Sequence, residues 1–244
     1  MQPNRRTAFE VTSSRTKEIA LLNLVVNGAE SVIAEYGCEF IGVELPETPG
    51  GKLIVYYSNC EELPDEGFEL DQALEYGLIR EYEFTLGKNG KKLRELYKRV
   101  RELIIKEVTS TLAPYALKCA LTKVEYMLVI LQNGSAALLE GERDKVVIPN
   151  IKASLSAHTH PKGCIPSPHD LKSLINLLFE GGLGSAIIST ECGLLIVRDG
   201  LFTEDDLLAL SKLRDSLSGR DVEPLNKALR EGRVGPNLMI ALIS

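Results

Sequence analysis

SAHTHPKGCIPSPHDLKSL, residues 156–174, carries all three histidines of the chain within twelve positions. It reads as three pieces in succession. SLSAHTH closes an apolar run and has the character of a strand, which Pro161 ends because proline cannot donate to a ladder. PKGCIP, 161–166, is a connector. Ser167 then suits a helix N-cap, and Pro168 suits the first helical position, where a missing N–H costs nothing. A helix follows to Phe179. Strand, short loop and helix in this order make the region part of a sheet with helices packed on it.

The flanks carry the same texture. VEYMLVILQNGSAALLEGE, 124–142, is two apolar runs around Asn133-Gly134, a pair that favours a tight hairpin turn. KVVIP at 145–149 and IKASLSAHTH at 151–160 continue as strands, as do SAIIST at 185–190 and GLLIVRDG at 193–200. Thr203 caps a helix to about Leu217, with Asp206 three residues on in a capping-box position. NLMIALI at 237–243 fits a closing strand or a short helix. On the N-terminal side, Ile19, Leu22, Val25, Val26, Ala29 and Ile33 recur at helical spacing, with Gly37 as a stop. EFIGVEL at 39–45 and KLIVYYS at 52–58 read as strands. The fold class is therefore an α/β mixture of the α+β type, a mixed sheet packed by helices. The texture suggests a division at residue 90, with an N-terminal α+β region at 1–90 and a second unit at 91–244.

Two charge blocks adjoin each other. Residues 61–83 hold nine Asp/Glu against one Arg, and residues 88–106 hold eight Lys/Arg against two Glu. They are placed to neutralise one another across a shared surface. The basic block lies on an amphipathic helix whose apolar stripe includes Leu93, Leu96, Val100, Ile104 and Val108, with a second helical piece at 111–121. The one aromatic in the block, Tyr97, belongs to the apolar stripe and none interleaves with the charged faces, so a solvated helix face is the first reading and a nucleic-acid patch the second. The net charge of −6 gives no general reason to expect nucleic acid or an anionic membrane. No apolar run reaches the roughly 18–20 residues of a membrane span, and no apolar stretch follows the N-terminal arginines as in a signal peptide. Five scattered cysteines without a C-x-x-C pair point to a reduced, cytoplasmic chain.

The histidines suggest metal chemistry. Residues i and i+2 of a strand share a face, so His158 and His160 present two imidazoles side by side. Asp170 falls on the first turn of the next helix, where the helix dipole favours a carboxylate. Two histidines and one aspartate make three ligands and leave a fourth position for water, the pattern of a catalytic zinc site. His169 sits about 100° around the helix from Asp170 and faces solvent or the rim.

At these residues the sequence resembles the JAMM/MPN metalloprotease family. Its signature is an upstream glutamate, then His-(Ser/Thr)-His-Pro, a loop, and Ser-x-x-Asp. His158-Thr159-His160-Pro161 and Ser167-Pro168-His169-Asp170 match it. The loop here has six residues where the family usually has seven. The likeness covers about residues 91–215 and implies an MPN core, related to the cytidine-deaminase fold, with zinc on His158, His160 and Asp170. It implies Ser167 as a hydrogen-bond donor to the reacting oxygen. It also implies a glutamate base at the start of the first sheet strand. Glu125, which opens that strand, is the first choice; Glu39, before the Glu-x-x-Gly strand at 39–42, is the second. Glu140 and Glu142 look like surface residues at the hairpin end. The implied activity is hydrolysis of a peptide or isopeptide bond in a protein substrate, including bonds to ubiquitin-like modifiers. An inactive scaffold of the same fold and a nucleic-acid-associated protein using the basic helix are the alternatives.

Overall fold

The computed structural model describes residues 8–48, 50–143 and 152–243. The strand expected at 145–149 lies outside them. The chain is a mixed α and β protein with mixed sheets packed by helices.

The larger sheet has eight strands. Its order is β1 (Ala8–Glu10), β7 (Ala136–Arg143), β6 (Val124–Leu131), β8 (Ala153–Thr159), β9 (Gly184–Ile188), β10 (Gly193–Arg198), β12 (Leu238–Ile243) and β11 (Arg233–Gly235). Every neighbouring pair is antiparallel except β8 and β9. A parallel pair cannot be joined by a tight turn and needs a crossover. Helix α4 (Pro168–Phe179) is that crossover, so its first turn starts beside the end of β8. This topology brings Asp170 to the two histidines.

Alternation along the strands covers both faces of the sheet. Tyr126, Leu128, Ile130, Leu155 and Leu195 face α1 (Ser14–Tyr36) and α3 (Leu93–Thr122). Met127, Val129, Ile187, Leu194 and Ile196 face α4 and α5 (Glu204–Ser218), with α6 (Glu223–Glu231) completing that layer. Strand β8 is buried throughout, as a central strand covered on both faces must be.

The smaller sheet has the order β4 (Glu81–Leu86), β3 (Lys52–Ser58), β2 (Phe40–Glu44) and β5 (Lys91–Lys92), and α2 (Phe68–Glu75) packs on α1. Residue 90 marks no break in the core. β1 adds to the large sheet, and Ile19, Leu22 and Val26 of α1 share one cluster with Leu96 and Val100 of α3 and with Leu128 of β6. Buried Asn23 on α1 donates to Ser154 Oγ on β8 at 3.1 Å.

Local signals account for the helix ends. Thr16 N–H donates to Ser13 Oγ and Ser13 N–H to Thr16 Oγ1, a reciprocal cap at the start of α1. Gly37 closes it at φ +60°, a conformation glycine adopts without a Cβ penalty. Helix α1 is long and apolar enough to match a membrane span, where the sequence reading found no such run; yet 67% of its apolar window is buried in the protein.

Several expectations are corrected. α3 runs unbroken through Pro114 instead of stopping before a second piece at 111–121. Proline removes one helical hydrogen bond, but Leu112, Ala116 and Cys119 on either side are buried against the core and hold the helix together. The acidic block contains α2 and β4, which its composition concealed. Among the described residues no ion pair joins it to the basic block; Arg99 pairs with Glu18 of α1. The 237–243 tail is a strand, β12, and α6 precedes it. The cysteines are not all reduced: Cys38 is bonded to Cys60 and Cys164 to Cys192, with Cys119 buried and outside both disulfides. In β2 and β3, Phe40 pairs with Ser58, and the same register carried two pairs further brings Cys38 opposite Cys60.

Candidate metal centre

His158 lies near the end of β8 and is 8% exposed. His160 follows two residues on, where its N–H still donates to Ile188 O of β9 at 2.9 Å. Both side chains therefore leave the sheet on one face. Across the loop, Ser167 caps α4: its Oγ accepts from Asp170 N–H at 3.2 Å, and its own N–H donates to Asp170 Oδ2 at 2.7 Å. This reciprocal cap fixes the Asp170 carboxylate and turns it towards the histidines.

The three donors converge. His158 Nε2 is 3.0 Å from His160 Nε2 and 3.4 Å from Asp170 Oδ1, and His160 Nε2 is 3.5 Å from Asp170 Oδ2. Ligand atoms about 2.0–2.1 Å from a tetrahedral ion stand about 3.3 Å apart. His158, His160 and Asp170 thus form a group that could hold a metal ion. Burial would raise the Asp170 carboxyl, but hydrogen bonding to His158 and His160, the electrostatic effect of His158 and the Ser167 N–H hold it well below the usual carboxylate range. The carboxylate is kept in the ionised form that a cation binds.

The other candidates are placed as follows. His169 is exposed and outside the group. Glu125 is half-buried at the start of β6. Met127 pairs with His158, and Tyr126 N–H donates to Thr159 Oγ1 at 2.9 Å. Glu125 stands two residues before Met127, beyond the last pair of the β6–β8 ladder. Glu39 is not brought to the site: it adjoins the smaller sheet, is exposed, and accepts from Asn59 Nδ2 at 2.7 Å. Glu140 accepts from Tyr126 Oη at 2.8 Å and lies 3.6 Å from Lys118 Nζ. The side chain of Glu142 lies outside the description.

A disulfide links Cys164 to Cys192, a pairing that nothing local in the sequence marks. Cys164 stands in the loop between His160 and Ser167, and Cys192 in the turn between β9 and β10. That turn is held by Ser189, whose Oγ accepts from the N–H groups of Glu191 and Cys192 at 3.1 Å each. The disulfide ties the loop to this turn. An odd cysteine count gave no pairing signal; only the turn after β9, brought beside the end of β8 by the parallel pairing, shows it.

No family model, curated protein or solved structure matches the chain.

Proposed function

We propose that the chain is a zinc-dependent hydrolase of the JAMM type, cleaving a peptide or isopeptide bond. The observation that carries this reading is the convergence of His158, His160 and Asp170, with donor atoms 3.0–3.5 Å apart, from a strand end and the first turn of the next helix. Two imidazoles and one carboxylate fit zinc and leave a position for solvent. A zinc ion bound there supplies the Lewis acidity that makes water nucleophilic near neutral pH.

The chain's own residues do the rest. Asp170 brings one negative charge and is oriented by the Ser167 backbone. Glu125 takes a proton from the attacking water and returns it to the leaving amine. Ser167 Oγ already accepts a hydrogen bond, so its own proton is left to donate to the carbonyl oxygen as charge develops there. The substrate class, including ubiquitin-like modifiers, rests on the motif's likeness to the JAMM family.

The test is metal analysis followed by turnover. The purified chain should hold about one zinc, lost in His158→Ala. It should then cleave a fusion of a ubiquitin-like modifier through its C-terminal peptide bond. A chain that takes up no metal when supplied with zinc removes the reading. Iron held in place of zinc would overturn it too, since two histidines and a carboxylate also serve oxygen-activating iron.

A further inference from the structure

A second site stands at the other end of the sheet. His158 is aligned through Ile187 with Leu194 on β10, and Arg198 lies four residues further along that strand, roughly 13 Å away. There a cleft of about 760 Å³ opens between α1, α3 and the segment after β10. Its volume is in the range of small-ligand pockets, about 300–1,000 Å³.

The charges in this cleft are unbalanced. Two of its three acids are paired with cations, while Glu95 keeps its charge, so the three remaining cations leave a surplus of two. Glu30 is held by Arg198 and Tyr97, Asp199 by Arg233, and Glu95 accepts the Lys92 N–H at 2.9 Å. Three further cations line it: Arg94, Lys98 and Arg101. They fall at i, i+4 and i+7 on α3 and so form one stripe. Among the described residues neither Arg94 nor Lys98 has an ion-pair partner. Arg101 is half-buried, and among the described residues its guanidinium reaches only the thioether sulfur of Met239, at 2.8 Å. A thioether is a weak acceptor and cannot neutralise a guanidinium. Like charges at this spacing repel, and Arg94 sits in the first helical turn, where the helix dipole disfavours a cation. Opposite the stripe the walls are apolar, with Ile33, Ala34 and Leu201.

We infer that this cleft binds a phosphate ester of nucleotide size. Arg94, Lys98 and Arg101 would take the phosphates, and Ile33, Leu201 and Met239 the organic part. A guanidinium fork matches phosphate oxygens in pairs, and the neighbouring ammonium adds a point charge. The site is independent of the metal centre.

The experiment is calorimetric titration of ATP and of pyrophosphate into the full chain, stripped of metal by chelator so that neither probe can report on the histidines. ATP should bind one to one and more tightly than pyrophosphate, which lacks the organic part. Lys98→Glu and Arg94→Glu should each weaken ATP by about tenfold or more, since each replaces an attractive charge at the phosphates by a repulsive one. Both positions are exposed, and circular dichroism checks that the fold persists. Lys106→Glu makes the same charge change on α3 outside the cleft and should leave affinity within about twofold. Equal losses in Lys106→Glu and Lys98→Glu would show diffuse attraction and overturn the site. So would the absence of ATP binding at millimolar concentration, or retention of duplex nucleic acid by a chain that ignores ATP.

Discussion

Met127 of β6 and His158 of β8 are directly paired across an antiparallel ladder. Their side chains share a face, and the proposed mechanism takes Glu125, two residues before Met127 on β6, as the base beside that pair. A carboxylate placed there can exchange protons with a water at the metal without being a ligand. Glu125→Gln should therefore keep the zinc and lose about 10²–10⁴-fold in turnover, the usual contribution of a general base. Metal content and kcat measured on one preparation decide it. Unchanged turnover would remove Glu125 from the mechanism.

The proposed site gives Asp170 two roles, ligand and helix cap, and two substitutions separate them. Asp170→Asn keeps an oxygen for the Ser167 N–H but loses the anionic ligand; Asp170→Ala loses both. Both should abolish zinc binding. The metal-free alanine variant should be less stable than the metal-free asparagine variant by about 1 kcal/mol, the worth of a cap interaction. Zinc at a hundredfold excess over its dissociation constant should stabilise the native chain by about 2.7 kcal/mol, raising Tm by about 5–10 °C for a chain of this size. Neither aspartate variant should respond to zinc. Thermal melts with and without zinc give the comparison.

The grouping of His158, His160 and Asp170 could be read from the sequence because the signals that place them are local. Period two aligns His158 with His160, and Ser167-Pro168 fixes where the next helix starts and so where Asp170 points. Glu125 could be named but not positioned, because its place depends on how β6 pairs with β8, which is a long-range contact. Glu39 drew attention for the same kind of local pattern, a carboxylate before an apolar strand, but strand pairing puts it beside the smaller sheet. α2 and β4 were hidden by acidic composition: Leu70 and Ala73 anchor α2 in the core, two buried positions too few to set a period. The unbroken α3 was hidden by Pro114, a local penalty overridden by packing.

The Cys164–Cys192 disulfide spans from the metal-ligand loop to the turn after β9. Opening it takes two electrons and two protons from a dithiol and leaves two thiols, with the dithiol oxidised. The loop that sets the distance from His160 to Asp170 is then released from the Ser189 turn. Reduction, or Cys164→Ser with Cys192→Ser, should weaken zinc binding by about tenfold, the lower end of what loss of support around a metal site costs. Cys38→Ser with Cys60→Ser, at the small sheet, should leave zinc affinity unchanged. Competition with a chromophoric chelator under oxidising and reducing conditions reads both. Equal affinities in the two states would mean that the Ser167–Asp170 cap alone holds the loop.

Arg198 of β10 is 3% exposed and ties three elements together. Its guanidinium bonds Glu30 and Asn27 on α1, the latter at 2.7 Å, and Tyr97 Oη on α3 at 2.8 Å, while its Nε donates to Gly200 O at 3.1 Å. Burial raises the Glu30 carboxyl above its ordinary value, against the lowering effects of Arg198 and Tyr97. A buried charge left without its partner is far more costly than the pair is worth. Glu30→Ala should therefore destabilise by about 3–5 kcal/mol, while replacing both partners, Glu30→Leu with Arg198→Met, should recover much of that loss. Urea denaturation of the two variants beside the native chain measures the difference. A double variant no more stable than Glu30→Ala would mean that the network's contacts to Asn27, Tyr97 and Gly200, and not the isolated charge, carry the stability.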